Sequence, residues 1–280
     1  MGMTTVTAII SLLMQAGPNP YGGAVPDYSA EVQDRPPDDS HVIEEQAKPS
    51  WLGDCFELVE SDPARAHAQA QIRRETVSGD ERVLANHCLG LAATRLERWE
   101  EAREAFLAGR NEVPADDMRM RARLGAMAGN AALAQGDRDD ALALLASAYG
   151  DAQAASAGDL QAFIALDQAS LLVSLGRLEE AAALLEESRR LQPANPESWL
   201  LLATLMRRMD RLDEAQAHIE EAAKLAPTDP RIALEAGAIA VLGGRDDAAR
   251  QSWESVIALE PEGALADIAR GYLQQLDEAP

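Results

Sequence analysis

Four residue types return every 34 positions through the second half of the chain. Pro193, Pro227 and Pro261 are one such step apart, as are Ala181, Ala215 and Ala249, then Arg177, Arg211 and Arg245, then Leu166, Leu200 and Leu234. Series that share one phase specify a structural repeat. A unit of this length cannot bury its own apolar face and becomes stable only by stacking on its neighbours. Between the punctuating Gly, Asp and Pro residues, apolar side chains recur every three or four places in blocks of about 12 to 16 residues, as paired helices require. Composition agrees. Apolar residues make up 47% of the chain but aromatic residues only 4%, a balance that suits closely packed helices better than strands.

The helix boundaries can be placed from local chemistry. Asn195-Pro196 and Asp229-Pro230 each put a capping side chain before a proline in the first turn. Gly176-Arg177, Asp210-Arg211 and Gly244-Arg245 mark tight turns inside successive pairs. Small residues such as Ala203, Ala215 and Gly237 let helix axes approach, while Phe106, Trp199 and Trp253 fill the space between neighbours.

With these features the chain resembles the tetratricopeptide repeat family, whose 34-residue unit is an antiparallel helix pair. The best match runs from Pro196 to Asp229. Trp199, Leu202-Ala203 and Met206 stand at the bulky and small places of the first helix, and Ala215, Ile219, Ala222 and Pro227 at those of the second. Pro230 to Gly263 repeats the pattern with Gly237, Ala249, Trp253 and Pro261, and Ala162 to Asn195 with Ala169, Leu172, Ala181, Leu185 and Pro193. Earlier units show Leu89-Gly90, Ala102, Phe106 and Pro114, then Gly129, Ala141, Leu145 and Ala148. The resemblance implies an all-α, tetratricopeptide-type α-solenoid of about five repeats plus capping helices. The array is expected over 83–263, after a degenerate helix pair in 51–82 and before a closing helix and tail in 264–280. In that closing helix Leu265, Ile268, Leu273 and Leu276 are expected to face inward. The period slips twice. About five extra residues near Asp117 to Arg121 read as a lengthened helix, because Met118, Met120, Leu124 and Met127 continue a helical stripe; about six near Asp151 to Ser156 read as a longer turn.

Ahead of the array, 17–50 reads as a Pro-rich acidic linker that cannot bury enough apolar area to fold alone. Residues 1–16 contain the apolar run Val6 to Met14. That run is shorter than the roughly 20 residues of a membrane-spanning helix but fits the apolar part of a secretory signal, which predicts export to the periplasm, with a cytoplasmic location as the alternative. Cys55 and Cys88 are too few for a disulfide framework or a zinc site; two buried thiols is the commoner outcome, and pairing the alternative in an oxidising compartment. The net charge of −22 opposes non-specific binding to nucleic acid or anionic membranes.

No catalytic, cofactor or metal motif stands out. The acidic doublets Glu179-Glu180, Asp213-Glu214 and Asp246-Asp247 recur at one repeat place and read as solvated helix starts. His87 beside Cys88 is a poor base–nucleophile pair, since adjacent helical side chains diverge. The expected function is therefore a non-catalytic scaffold that binds a peptide or helix of another protein. The alternative is a self-associating scaffold or an accessory subunit of a cell-envelope assembly. In the family the first helix of each pair lines a concave groove; carried over, the partner-binding residues are Phe163, Leu166, Ser170, Leu200, Thr204, Arg207, Arg208, Arg231 and Leu234. His87, Leu91, Met127, Phe163 and Asp167 stand where carboxylate-clamping members carry Lys, Asn and Arg. That ligand class is disfavoured, and an apolar groove takes its place.

Overall fold

The computed structural model describes residues 51–278, and these form thirteen α-helices without a strand. The expected signal-like segment and linker lie outside the described residues. In chain order the helices are α1 (Trp51–Ser61), α2 (Pro63–Thr76), α3 (Asp80–Arg95), α4 (Trp99–Glu112), α5 (Met118–Gln135), α6 (Arg138–Ala154) and α7 (Gly158–Ser174). They continue as α8 (Leu178–Leu191), α9 (Pro196–Arg208), α10 (Leu212–Leu225), α11 (Pro230–Leu242), α12 (Asp246–Leu259) and α13 (Ala264–Asp277). Two compact units divide the chain, 51–171 and 172–278, with the division inside α7.

In the unit 172–278 each proposed start and stop has a physical counterpart. The Asn195 side chain accepts the Glu197 backbone N–H at 3.0 Å, and Asp229 accepts that of Arg231 at 2.9 Å, so both caps satisfy amides that the helix leaves unpaired. The three tight turns place Gly176, Asp210 and Gly244 in the left-handed region, with φ of 74°, 59° and 69°. Glycine bears that conformation without a Cβ penalty, and Asp210 occupies it in the middle turn. The core gathers Leu234, Ala238, Ala249, Trp253, Val256, Ala269 and Tyr272, and Leu265, Ile268, Leu273 and Leu276 of α13 are partly buried against it. Trp253 fills the space beside Gly237 and donates its indole N–H to the Leu234 carbonyl at 3.2 Å. The small residue in one helix is thus the seat for the large one in the next.

The unit 51–171 departs further from the regular pattern. The first insertion lengthens α5 to 18 residues, as its apolar stripe predicts. The second is not a longer turn: Asp151 to Ala154 continue α6, which runs for 17 residues. The cause is long-range. Arg110 of α4 donates to the Asp151 carboxylate at 2.6 Å, and Ala148 and Ala152 are fully buried on the same side of α6, so the added turn is pinned before the chain reverses at Ser156 (φ 53°). Cys55 of α1 and Cys88 of α3 are joined by a disulfide across a Cα–Cα distance of 6.2 Å, so the expectation of two separate thiols is corrected. Both sit in an apolar cluster with Val59, Ala66, Ala70, Leu89, Ala92 and Ala105.

Candidate partner-binding face

The candidate residues fall on first helices, as the repeat register requires. Phe163, Leu166 and Ser170 lie on α7; Leu200, Thr204, Arg207 and Arg208 on α9; Arg231 and Leu234 on α11. Their accessibility differs sharply. Leu166, Leu200 and Leu234 are only 7, 4 and 2% exposed, so these leucines are committed to packing within the protein. Phe163, Ser170 and Thr204 are half-buried, and Arg208 and Arg231 are exposed. The Ser170 hydroxyl already donates to the Leu166 carbonyl one turn earlier, at 2.8 Å.

The three arginines have three different environments. Arg207 is 1% exposed and forms a fork with Glu235 of α11, itself 6% exposed; its Nε lies 2.6 Å from Oε1 and its Nη2 3.2 Å from Oε2. Such a bidentate arrangement satisfies two desolvated charges at once. Arg231 is held by Asp229 at 2.7 Å and by Glu197 of α9 at 2.9 Å. Its hydrogen bond to Asp229 is the main cause that holds the guanidinium proton more tightly than usual. Arg208, by contrast, has no carboxylate partner among the described residues and projects from the last turn of α9.

Sequence reasoning had not singled out Glu235, the partner of Arg207 28 positions away. It also missed Asn130 donating to Asp167 at 2.9 Å, which ties α5 to α7 on the corresponding face of the unit 51–171. Neither pair leaves a local signal, because each partner alone reads as an ordinary polar residue on an amphipathic helix.

The acidic doublets at the starts of α8, α10 and α12 are exposed. Glu180 and Glu214 pair with Arg177 and Arg211 of their own turns, which keep both carboxyls below their usual range. His87 has no free thiol beside it, because the Cys88 sulfur is bonded to Cys55. Among the described residues no group of three or more His, Cys, Asp or Glu side chains converges to hold a metal ion, and no helix is long and apolar enough to cross a membrane.

The family model described as tetratricopeptide repeat matches residues 172–237. No curated protein matches the chain in sequence. Among solved structures, the chain is similar to the pilF protein of Pseudomonas aeruginosa, at 16% identity and a TM-score of 0.59, over 79% of this chain and 97% of that one. It is also similar to MamA from Desulfovibrio magneticus RS-1, at 15% identity and a TM-score of 0.54, over 65% and 97% of the two chains. A third likeness is to YrrB, described as a tetratricopeptide protein with an unusual peptide-binding site, at 14% identity and a TM-score of 0.51, over 80% and 100%. The identities are low and these likenesses show the fold alone: residues 172–237 match the tetratricopeptide repeat model, and the chain is folded as a tetratricopeptide-type α-solenoid.

Proposed function

We propose that the chain is a non-catalytic interaction scaffold that takes a peptide or helix of another protein on the first-helix face of α9 and α11. The observation that carries this reading is the accessibility of Thr204, Arg208 and Arg231 on two successive first helices, beside leucines already packed beneath them. A partner lying there meets a firm apolar floor at its edges and a guanidinium at Arg208 that no carboxylate of the described residues occupies. The leucines set the shape of the floor; the accessible side chains make the contacts. The description of YrrB as peptide-binding is consistent with the same use of the fold.

The test is a display selection. Peptides selected from a random library against the purified chain are measured against Arg208→Glu and Thr204→Trp. Both variants are expected to weaken binding about tenfold or more, roughly 1.4 kcal/mol, with the melting temperature unchanged. Selected peptides that bind both variants as well as the parent chain would overturn the reading.

We propose in addition that the protein works in an oxidising compartment, the periplasm being the expected one. The Cys55–Cys88 disulfide supports this, since such bonds persist where thiols are not kept reduced. Mass spectrometry of the native protein after thiol alkylation checks both halves at once. An unalkylated pair and an N-terminus near Gly17 are expected. Two alkylated cysteines on a chain beginning at Met1 would favour the cytoplasm.

A further inference from the structure

We propose that α1 is a lid held over the buried face of α3 by the Cys55–Cys88 disulfide, and that reducing this bond lets the lid open and brings water to His87.

The lid is thin. It has 11 residues, of which only Cys55 and Val59 are buried, and a free helix of that length is marginal in water. Apart from the disulfide, the half-buried Trp51, Leu52, Phe56 and Leu58 pack against the cluster beneath, and polar ties hold α1 at its two ends. Glu60 pairs with Arg95 at the surface, and Arg73 of α2 lies 4.6 Å above the Trp51 ring. Exposed pairs of this kind contribute little.

Beneath the lid is a group that stands to gain from leaving. His87 is 3% exposed, with the Phe56 ring of α1 edge-on at 5.5 Å and the Phe106 ring of α4 at 6.4 Å. Neither of its ring nitrogens has a hydrogen-bond partner. Arg123 of α5 is the charged group that acts on the ring, and it too opposes protonation. An imidazole buried without partners carries its full desolvation penalty, which water relieves as soon as Phe56 moves away. The disulfide therefore opposes a standing tendency to open.

The opening step is thiol–disulfide exchange with a small dithiol. A thiolate of the reductant bonds to one cysteine sulfur and expels the other as a thiolate. The second reductant thiol then resolves the mixed disulfide. The dithiol leaves as a cyclic disulfide, having delivered two electrons and two protons, and Cys55 and Cys88 remain as thiols. Both sulfurs are almost fully buried, at 4 and 1% residue exposure, so attack has to wait for α1 to fray.

The experiment treats the full chain with dithiothreitol and follows amide exchange across 51–61 together with the His87 ring by NMR. In the oxidised protein the α1 amides are protected and the ring titrates well below its ordinary range. After reduction, α1 protection is expected to fall at least tenfold, and the ring midpoint to move up toward that range, while α5 and α6 stay protected. A Cys55→Ser, Cys88→Ser chain is expected to behave as the reduced one. In His87→Phe, which removes the unpartnered nitrogens, α1 is expected to stay protected after reduction. Unchanged α1 exchange on reduction overturns the lid, and so does equal loss of protection throughout 51–171, which would make the bond a general staple. A His87→Phe chain that opens as readily as the parent overturns the role given to His87.

Discussion

Trp253 occupies the space that a side chain at Gly237 would need: a Cβ built there overlaps the indole ring. Trp253 is 1% exposed and its N–H is committed to the Leu234 carbonyl, so the ring cannot swing aside cheaply. Gly237→Ala is therefore expected to destabilise the unit 172–278 by about 1–3 kcal/mol, as overpacking does. Gly271 on α13 has nothing within 4 Å of its virtual Cβ. Gly271→Ala should stabilise by up to about 1 kcal/mol, the ordinary helix-propensity gain. Urea denaturation of the two variants gives opposite signs if the seat at Gly237 is as rigid as this, and equal signs if it is not.

Arg207 and Glu235 form the most deeply buried ion pair among the described residues. Removing one partner strands the other charge where water cannot reach it. Arg207→Met alone and Glu235→Leu alone are each expected to cost about 3–5 kcal/mol. The double change Arg207→Met, Glu235→Leu should recover most of that loss, because two apolar side chains need no desolvation. A double-mutant cycle by chemical denaturation checks this. Additive losses would mean that the two residues act independently.

Much of this was legible in the sequence, for a physical reason. In a stack, each repeat meets its neighbours through the same few places, so Ala181, Ala215 and Ala249, or the three prolines, return in phase. What escaped depends on pairs without a local signature. The added turn of α6 is stabilised by Arg110 from 41 positions away, and the fate of Arg207 is settled by a glutamate one helix pair further on. The depth of Leu166, Leu200 and Leu234 escaped for a subtler reason. Periodicity locates a helix face within about 100°, and these places lie on the border between groove and core, where a small rotation decides whether a leucine is a contact or a filler.

Asp210 holds the left-handed position that glycine holds in the two sister turns, at Gly176 and Gly244. Aspartate tolerates that conformation better than most residues, yet still carries a Cβ cost that glycine lacks. Asp210→Gly is accordingly expected to raise stability by about 0.5–1 kcal/mol, less the glycine's extra unfolded-state freedom. The converse change, Gly244→Val, places a branched side chain at φ 69° and should lower stability by more than that. Melting temperatures of the two variants that shift in the same direction would contradict this account of the turns.

His87 makes stability depend on pH in a definite direction. Burial is the larger cause and the Arg123 charge the smaller in bringing its pKa from 6.5 to about 4. The folded chain holds the ring neutral, whereas the unfolded chain protonates it below about 6.5. Between these two values only the unfolded state binds the proton, so stability rises with pH and falls as the solution is acidified from 6.5 toward 4. Above 6.5 neither state is protonated and below about 4 both are, so outside that window His87 contributes no slope. Two and a half pH units at about 1.4 kcal/mol each set the loss at about 3 kcal/mol for the oxidised chain. Carboxylates also titrate near the lower end, and the comparison with His87→Phe removes their share. The difference in unfolding free energy between parent and variant should grow steadily from pH 7 to pH 4 and level off below. A constant difference across that range would mean that water already reaches the imidazole in the folded protein.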